Sequence, residues 1–263
     1  MPDVRYLVSW QISEKFANAV HVELSDFHES QQNISSLNMP DALKIRADVR
    51  VVTLVGSGLS RNRNNALKHA YGDLLVIADD DCRYTTESVR NIKEVFRKHA
   101  DASIIQMQGL SYEGHLLHNY PVDSYEYQNR PRFTYISSWE LVLRRSDLLP
   151  AFDERFGIGA YLGCGEEELF VAMAARKGLK VYYEPIPFVF TDADTSGTKF
   201  ASSKAMQRAK GGLLTMLHGP VSAFARCSKY AFHYRSEGIM KKVGFLFEMI
   251  KGILYVLTHH SVS

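Results

Sequence analysis

Gly72-Asp-Leu-Leu-Val-Ile-Ala-Asp-Asp-Asp-Cys-Arg-Tyr84 is the stretch on which the reading of this chain turns. Five apolar residues, Leu74 to Ala78, form a short run of the kind that fills a buried strand of a parallel sheet. The run ends in three carboxylates, Asp79, Asp80 and Asp81. An unpaired carboxylate is costly to bury, so three together must face solvent, a cation or basic partners. In open α/β sheets ligands bind beyond the carboxyl ends of the strands, where this cluster falls. Hard oxygen donors there suit Mg²⁺ or Mn²⁺, ions that carry phosphates with them. The plain alternative is a solvated acidic turn before the next helix.

The segment just upstream points the same way. Val49 to Val55 reads as a strand that runs into Gly56-Ser-Gly-Leu-Ser60, and Arg61 to Ala70 reads as a helix. The glycines permit a tight turn, Ser60 is a suitable N-cap, and the helix start offers free N–H groups. Arg61, Arg63 and Asn64 lie in its first turn, where the helix dipole disfavours cations, so the two arginines require an anion nearby. Val4 to Trp10 is expected to be a first strand and Ala19 to Leu24 a short second one. Asp26 to Asn38 reads as loop, with a helical turn or two after Pro40.

Downstream the alternation continues. Thr85 to His99 carries Val89, Ile92 and Phe96 at helical spacing, and Ala102 to Met107 follows as a strand. Ser111 to Arg132 is aromatic and polar, a long loop or small subdomain, and such loops are usually functional. Tyr135 to Arg145, with Trp139 and Glu140, reads as a strand. Gly-rich Asp153 to Gly165 leads to a second acidic cluster, Glu166-Glu167-Glu168, at the head of a helix closed near Gly178. Acidic residues in a first turn also satisfy the dipole, so capping alone would account for them. Leu179 to Tyr183 reads as a strand ended by Pro185 and Pro187. Val189 to Gly197, with Asp192, is a polar loop able to close over the site.

Composition sets the outer limits. With 263 residues, 46% of them hydrophobic and 23% charged, the chain can bury a sizeable core. From Lys199 onward ten Lys/Arg stand against two Glu, a charge of +8, which leaves −6 on residues 1–198 for the overall +2. Such a tail suits an anionic surface, membrane headgroups or a phosphorylated substrate, and equally a solubilising face. Within it, Ile239, Val243, Leu246, Ile250, Ile253 and Leu257 trace a helical stripe that either completes the core or lies in a membrane interface. Cys82, Cys164 and Cys227 are too few and too scattered for a disulfide framework or a zinc site, which fits a reduced, cytoplasmic protein. Met1 to Ser13 has no apolar core of signal-peptide type, and no stretch reaches the length of a spanning helix.

Two stretches together resemble family 2 glycosyltransferases of the GT-A type. Gly58-Leu-Ser-Arg-Asn-Arg-Asn-Asn-Ala-Leu followed by Gly72 to Asp81 is similar to their donor-binding half. Phe152-Asp-Glu-Arg-Phe-Gly, Gly165-Glu-Glu-Glu and Arg176-Lys-Gly-Leu-Lys-Val-Tyr-Tyr-Glu-Pro resemble their acceptor half, so the likeness spans about residues 49–190. It implies an α/β GT-A fold with a mostly parallel central sheet, residues 1–198 forming the transferase domain (donor half to about 108) and 199–263 a basic helical extension. It implies an inverting, hexosyltransferase-type enzyme that uses Mn²⁺ or Mg²⁺. The partners would be a nucleotide-diphosphate sugar, UDP-linked on family frequency, and a glycan acceptor, lipid-linked in capsule, O-antigen or exopolysaccharide synthesis. No nucleic-acid partner is expected.

The resemblance also assigns residues. Asp79-Asp80-Asp81 would be the D-x-D motif, with Asp81 nearest the dication, Asp79 toward metal or ribose, and Asp80 on the donor. Arg61, Arg63, Asn64 and Ser60 would line the donor pocket, and Trp139, Glu140 and Gly165 would contact substrate. Glu167, or its neighbour Glu166, would be the general base. Glu167 stands where relatives have Asp, which leaves the two glutamates as alternatives. Asp192 would take the place of a metal-approaching His, and Asp26 that of a base-reading Asp. A sugar nucleotidyltransferase, or a non-catalytic nucleotide- or glycan-binding accessory subunit of the same fold, is the alternative reading.

Overall fold

A computed structural model describes residues 4–12, 46–132, 134–192, 200–233 and 238–260. The strand expected at 19–24, the loop at 26–38, the helical turns after Pro40 and Asp26 lie outside the described residues.

Strands β1 (Tyr6–Ile12) and β2 (Val49–Val55) pair in parallel, in register from Tyr6 against Val49 to Ile12 against Val55. Their β-branched residues suit the half-buried pleat. Helix α1 (Leu59–His69) follows β2 directly. Next come β3 (Leu74–Val76), α2 (Thr86–Lys98), β4 (Ile104–Leu110) and the two-residue β5 (Tyr125–Glu126). After β6 (Leu141–Arg144), α3 (Glu166–Arg176) and β7 (Val181–Phe190), the chain ends in helices α4 (Lys204–His218), α5 (Pro220–His233) and α6 (Ile239–Thr258). Helix α2 starts in a capping box: Thr85 Oγ1 accepts from Ser88 N at 3.1 Å and Ser88 Oγ accepts from Thr85 N at 2.9 Å.

The five-stranded sheet has the order β3-β6-β4-β7-β5. Only β4 and β7 are parallel in it; β3–β6, β6–β4 and β5–β7 are antiparallel. The mostly parallel sheet expected from the apolar runs is therefore mixed. β3 is an edge strand paired with β6 alone, and Val76 is exposed, so its apolar run signals no doubly covered parallel strand. Two further expectations are corrected. Ser138 to Glu140 form a short 3₁₀ turn rather than the start of a strand, because the Glu140 carboxylate turns back to accept from Ser137 N. β7 continues through Pro185 and Pro187, since it pairs with β5 only as far as Tyr183 and its register against β4 shifts beside Gln108. On such an unpaired, bulged edge the missing proline N–H costs little.

Alternation along β4 and β6 divides the core. Ile105, Met107 and Val142 face Ile92, Val95 and Phe96 of α2, while Ile104, Leu141 and Leu143 face Phe152 and Phe170, Val171 and Ala174 of α3. A third cluster joins α4 and α6 to the segment that leads into α3, with Phe156, Leu162 and Leu169 packed on Ala209 and Val256. Buried Arg155, paired with Asp153 at 2.6 Å, reaches Val256 O at 3.1 Å and fastens α6 to the same segment. The extension thus packs on the domain.

Candidate functional site

The site forms where the first turn of α1, the acidic end of β3 and the head of α3 meet, and Arg63 links them. Arg63 is buried, so its charge needs partners on every side. Its Nη1 donates to Glu166 Oε1 at 2.9 Å, and its Nη2 donates to Asp79 Oδ1 at 3.1 Å and to Ser138 Oγ at 2.7 Å. The ring of Phe152 lies 5.7 Å from the guanidinium carbon. The anion that an arginine in this turn requires is supplied from within the chain, one carboxylate from each acidic cluster. A planar fork makes this junction possible where a lysine would not.

The neighbours of Arg63 fix α1 in place. Ser60 is not the N-cap: Gly58 holds that position at φ 115°, and Ser60 Oγ donates to Phe156 O at 2.6 Å. The N–H of Leu59 is taken by Ile158 O at 2.9 Å, so the helix start leans on the Gly-rich segment before α3. Asn64 clamps Phe152 through both ends of its amide, Nδ2 to O at 2.9 Å and Oδ1 from N at 2.7 Å. Ser60, Arg63 and Asn64 therefore join the two halves rather than line an open pocket. Arg61 is exposed and folds over Gly56, where an added Cβ would stand 2.6 Å from its Nη1.

At the acidic turn Asp79 is 37% exposed, and Asp80 and Asp81 are open to solvent. Asp81 Oδ2 accepts from buried Thr191 Oγ1 at 3.0 Å, and Tyr112 donates to the backbone oxygen of Asp81. Arg83 and Phe190 exchange backbone hydrogen bonds at 2.8 and 2.9 Å, which docks the turn on the end of β7. Exposed Asp192 follows two residues on. Cys82, tucked under the turn, has its thiol pushed up to about 11 by burial.

Across the junction Gly165 caps α3 at φ 92°, a left-handed position that glycine fills without strain. Leu213 of α4 packs against it. Of the three glutamates, Glu168 pairs with Arg130 on the outer side. Glu166 is buried, and Gly157 is wedged between it and Ser60. Half-buried Glu167 has its carboxyl pushed well above the usual range, first by burial and next by the charge of Glu166. The Oε2 atoms of both Glu166 and Glu167 are shielded and lack a hydrogen-bond partner. Dipole capping alone does not account for such a pair, because a surface cap would be hydrated. Tyr135, partly exposed, has its hydroxyl raised by burial and then by the charge of Glu167.

Trp139 and Glu140 are elsewhere. Trp139 packs into the core with its ring where a Cβ on Gly109 would fall, at 2.2 Å. Glu140 is 0% exposed and accepts from Tyr120 Oη at 2.6 Å, Gln106 Nε2 at 2.7 Å and Ser137 N at 3.0 Å. Burial pushes its carboxyl up to about 7. Both residues support the turn that carries Ser138 instead of meeting substrate. Ser138, Thr191 and Tyr135 were not singled out as site residues in the sequence. Ser138 and Tyr135 had only their neighbourhood to Trp139 as a signal, and Thr191 only its place at a strand end.

Among the described residues no group of three or more His, Cys, Asp or Glu is arranged to hold a metal ion. Two exposed aspartates at a strand end fit a dication that draws its remaining ligands from a diphosphate, since Mg²⁺-type ions commonly take one or two protein carboxylates plus phosphate oxygens.

Residues 38–144 match the model of Glycosyl transferase family 2. The resemblance to that family is thereby borne out, on a match that takes in Asp79 to Asp81 and ends before Glu166. A search of the curated proteins finds no significant match. Among solved structures, S. aureus TarS residues 1–349 superimposes with a TM-score of 0.52 at 14% identity, over 95% of this chain and 81% of that one. The same protein in complex with UDP-GlcNAc gives 0.52 over 95% and 82%. At that identity the likeness is one of fold, and it agrees with the α/β GT-A architecture.

Proposed function

We propose that the protein is a metal-dependent, inverting glycosyltransferase that moves a sugar from a nucleoside-diphosphate sugar to a hydroxyl of a glycan acceptor. The observation that carries this reading is the Arg63 fork, which holds a donor-side carboxylate, Asp79, and an acceptor-side carboxylate, Glu166, in one junction. Asp79 and Asp81 would hold Mn²⁺ or Mg²⁺, which when bound supplies positive charge to the departing diphosphate. Glu167 is the base. Burial and, after it, the charge of Glu166 raise its affinity for a proton, which is what a general base needs. The acceptor oxygen bonds to the anomeric carbon as the bond to the diphosphate oxygen breaks on the opposite face. Its proton passes to Glu167 and the electron pair leaves on the diphosphate. A single displacement of this kind inverts the centre.

A uridine nucleotide is supported by the UDP-GlcNAc held by one fold neighbour. Three unbridged cysteines suit the reducing cytoplasm, and a lipid-linked acceptor for surface polysaccharide suits the basic extension. Calorimetric titration with a panel of nucleoside diphosphates, with and without Mn²⁺, tests the donor site. Tight binding of one nucleotide that needs both the metal and Asp81 is expected. No metal-dependent binding to any of them, in wild type as in Asp81→Ala, would overturn the reading. Binding without sugar transfer would leave a non-catalytic accessory subunit.

A further inference from the structure

Helix α6 is apolar on two sides. Phe245, Met249, Gly252, Ile253 and Val256 are buried against α4 and α5. On the other side Ile239, Met240, Val243, Phe247, Leu254 and Leu257 form a stripe at helical spacing that faces solvent, Met240 at 81% and Phe247 at 59% exposure. Phe224 and Phe232 of α5 are exposed as well. Nine of the nineteen exposed large apolar side chains among the described residues lie on these two helices, so they are a concentrated patch rather than the scattered singles of any surface.

Charge decides what fits the patch. Helices α4–α6 carry eight cations, Lys204, Arg208, Lys210, Arg226, Lys229, Lys241, Lys242 and Lys251, against one carboxylate. That carboxylate, Glu248, is buried and engaged by Lys251 at 2.6 Å and Arg208 at 3.5 Å. A second copy docking through this face would set lysines and arginines against their own kind, a costly arrangement. No helix among the described residues is long and apolar enough to cross a membrane. An apolar stripe flanked by cations on a helix too polar to span is the pattern of one that lies in a lipid interface.

We infer that the solvent face of α5 and α6 docks on the surface of an anionic lipid bilayer. The stripe enters the headgroup region, and the flanking Lys and Arg meet the lipid phosphates. The inner face of α6 rests, through Val256, on Phe156, Leu162 and Leu169, and α4 buttresses Gly165, so docking is on the side of the molecule that carries the head of α3.

Co-sedimentation of the full chain with vesicles tests this independently of any transferase activity. Vesicles of phosphatidylcholine containing phosphatidylglycerol should bind the chain about tenfold more than phosphatidylcholine alone, and high salt should remove most of the difference. The double change Met240→Glu/Phe247→Glu should lower binding about tenfold or more, with an unchanged thermal melt as the folding control. Should that variant fail to fold, Leu254→Gln on the same stripe gives the milder version of the same loss. A wild type that stays in solution with both vesicle types would overturn the proposal, as would variants that bind as well as wild type. A wild-type dimer that the double change makes monomeric would also overturn it, in favour of a second copy.

Discussion

Arg63 reaches a carboxylate 16 residues away in one direction and another 103 residues away in the other, and its position dominates the chemistry of the site. A lysine there keeps the charge but cannot serve two carboxylates and a serine together. Arg63→Lys is expected to lower the rate of sugar transfer about a hundredfold, the scale of a small misplacement of catalytic groups, which steady-state kinetics would measure. Glu167→Gln should abolish transfer while nucleotide binding by calorimetry persists. In wild type the rate should rise with pH as Glu167 loses the proton that burial and Glu166 hold on it, and Glu167→Asp should keep a pH dependence of the same sign. Glu140 predicts a different profile, one of stability. Unfolded, it releases its proton near 4.5; folded, it keeps that proton until about 7. Between those values the folded state binds the extra proton, so stability must fall as pH rises, by about 3 kcal/mol in all. Denaturant midpoints taken below and above that window should show the loss, and Glu140→Gln should flatten it.

At the scale of elements, the tightest contact is the crossing of α4 and α6. A Cβ on Gly211 would stand 1.9 Å from Met249 O, and one on Gly252 would stand 1.8 Å from Arg208 O. Both clashes are with backbone, so no side-chain rotation relieves them. Gly211→Ala or Gly252→Ala should cost about 1–3 kcal/mol in urea unfolding. Gly244→Ala in the same helix, with nothing within 4 Å, should instead gain about 0.5–1 kcal/mol from helix propensity. The apolar stripe of α6 was legible in the sequence, but which of its residues face inward was not. Period alone gives one face, and this helix has two. Helices α4 and α5 went unread because their buried faces are built largely of Ala, Gly, Thr and Cys, which carry little periodic signal.

In the whole molecule, two halves of an α/β GT-A fold share one junction, and a basic helical layer backs the half that carries Glu166. The sequence by itself determined the local pieces: the strand at 49–55, the helices near 59–69, 86–98 and 166–176, the likeness to one transferase family, and the two acidic clusters. These depend on short-range spacing, capping and composition, which a linear chain displays. Only the tertiary structure decided that the sheet is mixed, because strand direction depends on the partner and not on the apolar run. It also decided that Trp139 and Glu140 belong to the core and that Ser60 and Asn64 brace the halves, since burial is a property of what packs alongside. The meeting of Asp79 with Glu166 through Arg63 is the clearest case. No local pattern encodes it, because a buried guanidinium selects its counter-charges from wherever the fold brings them.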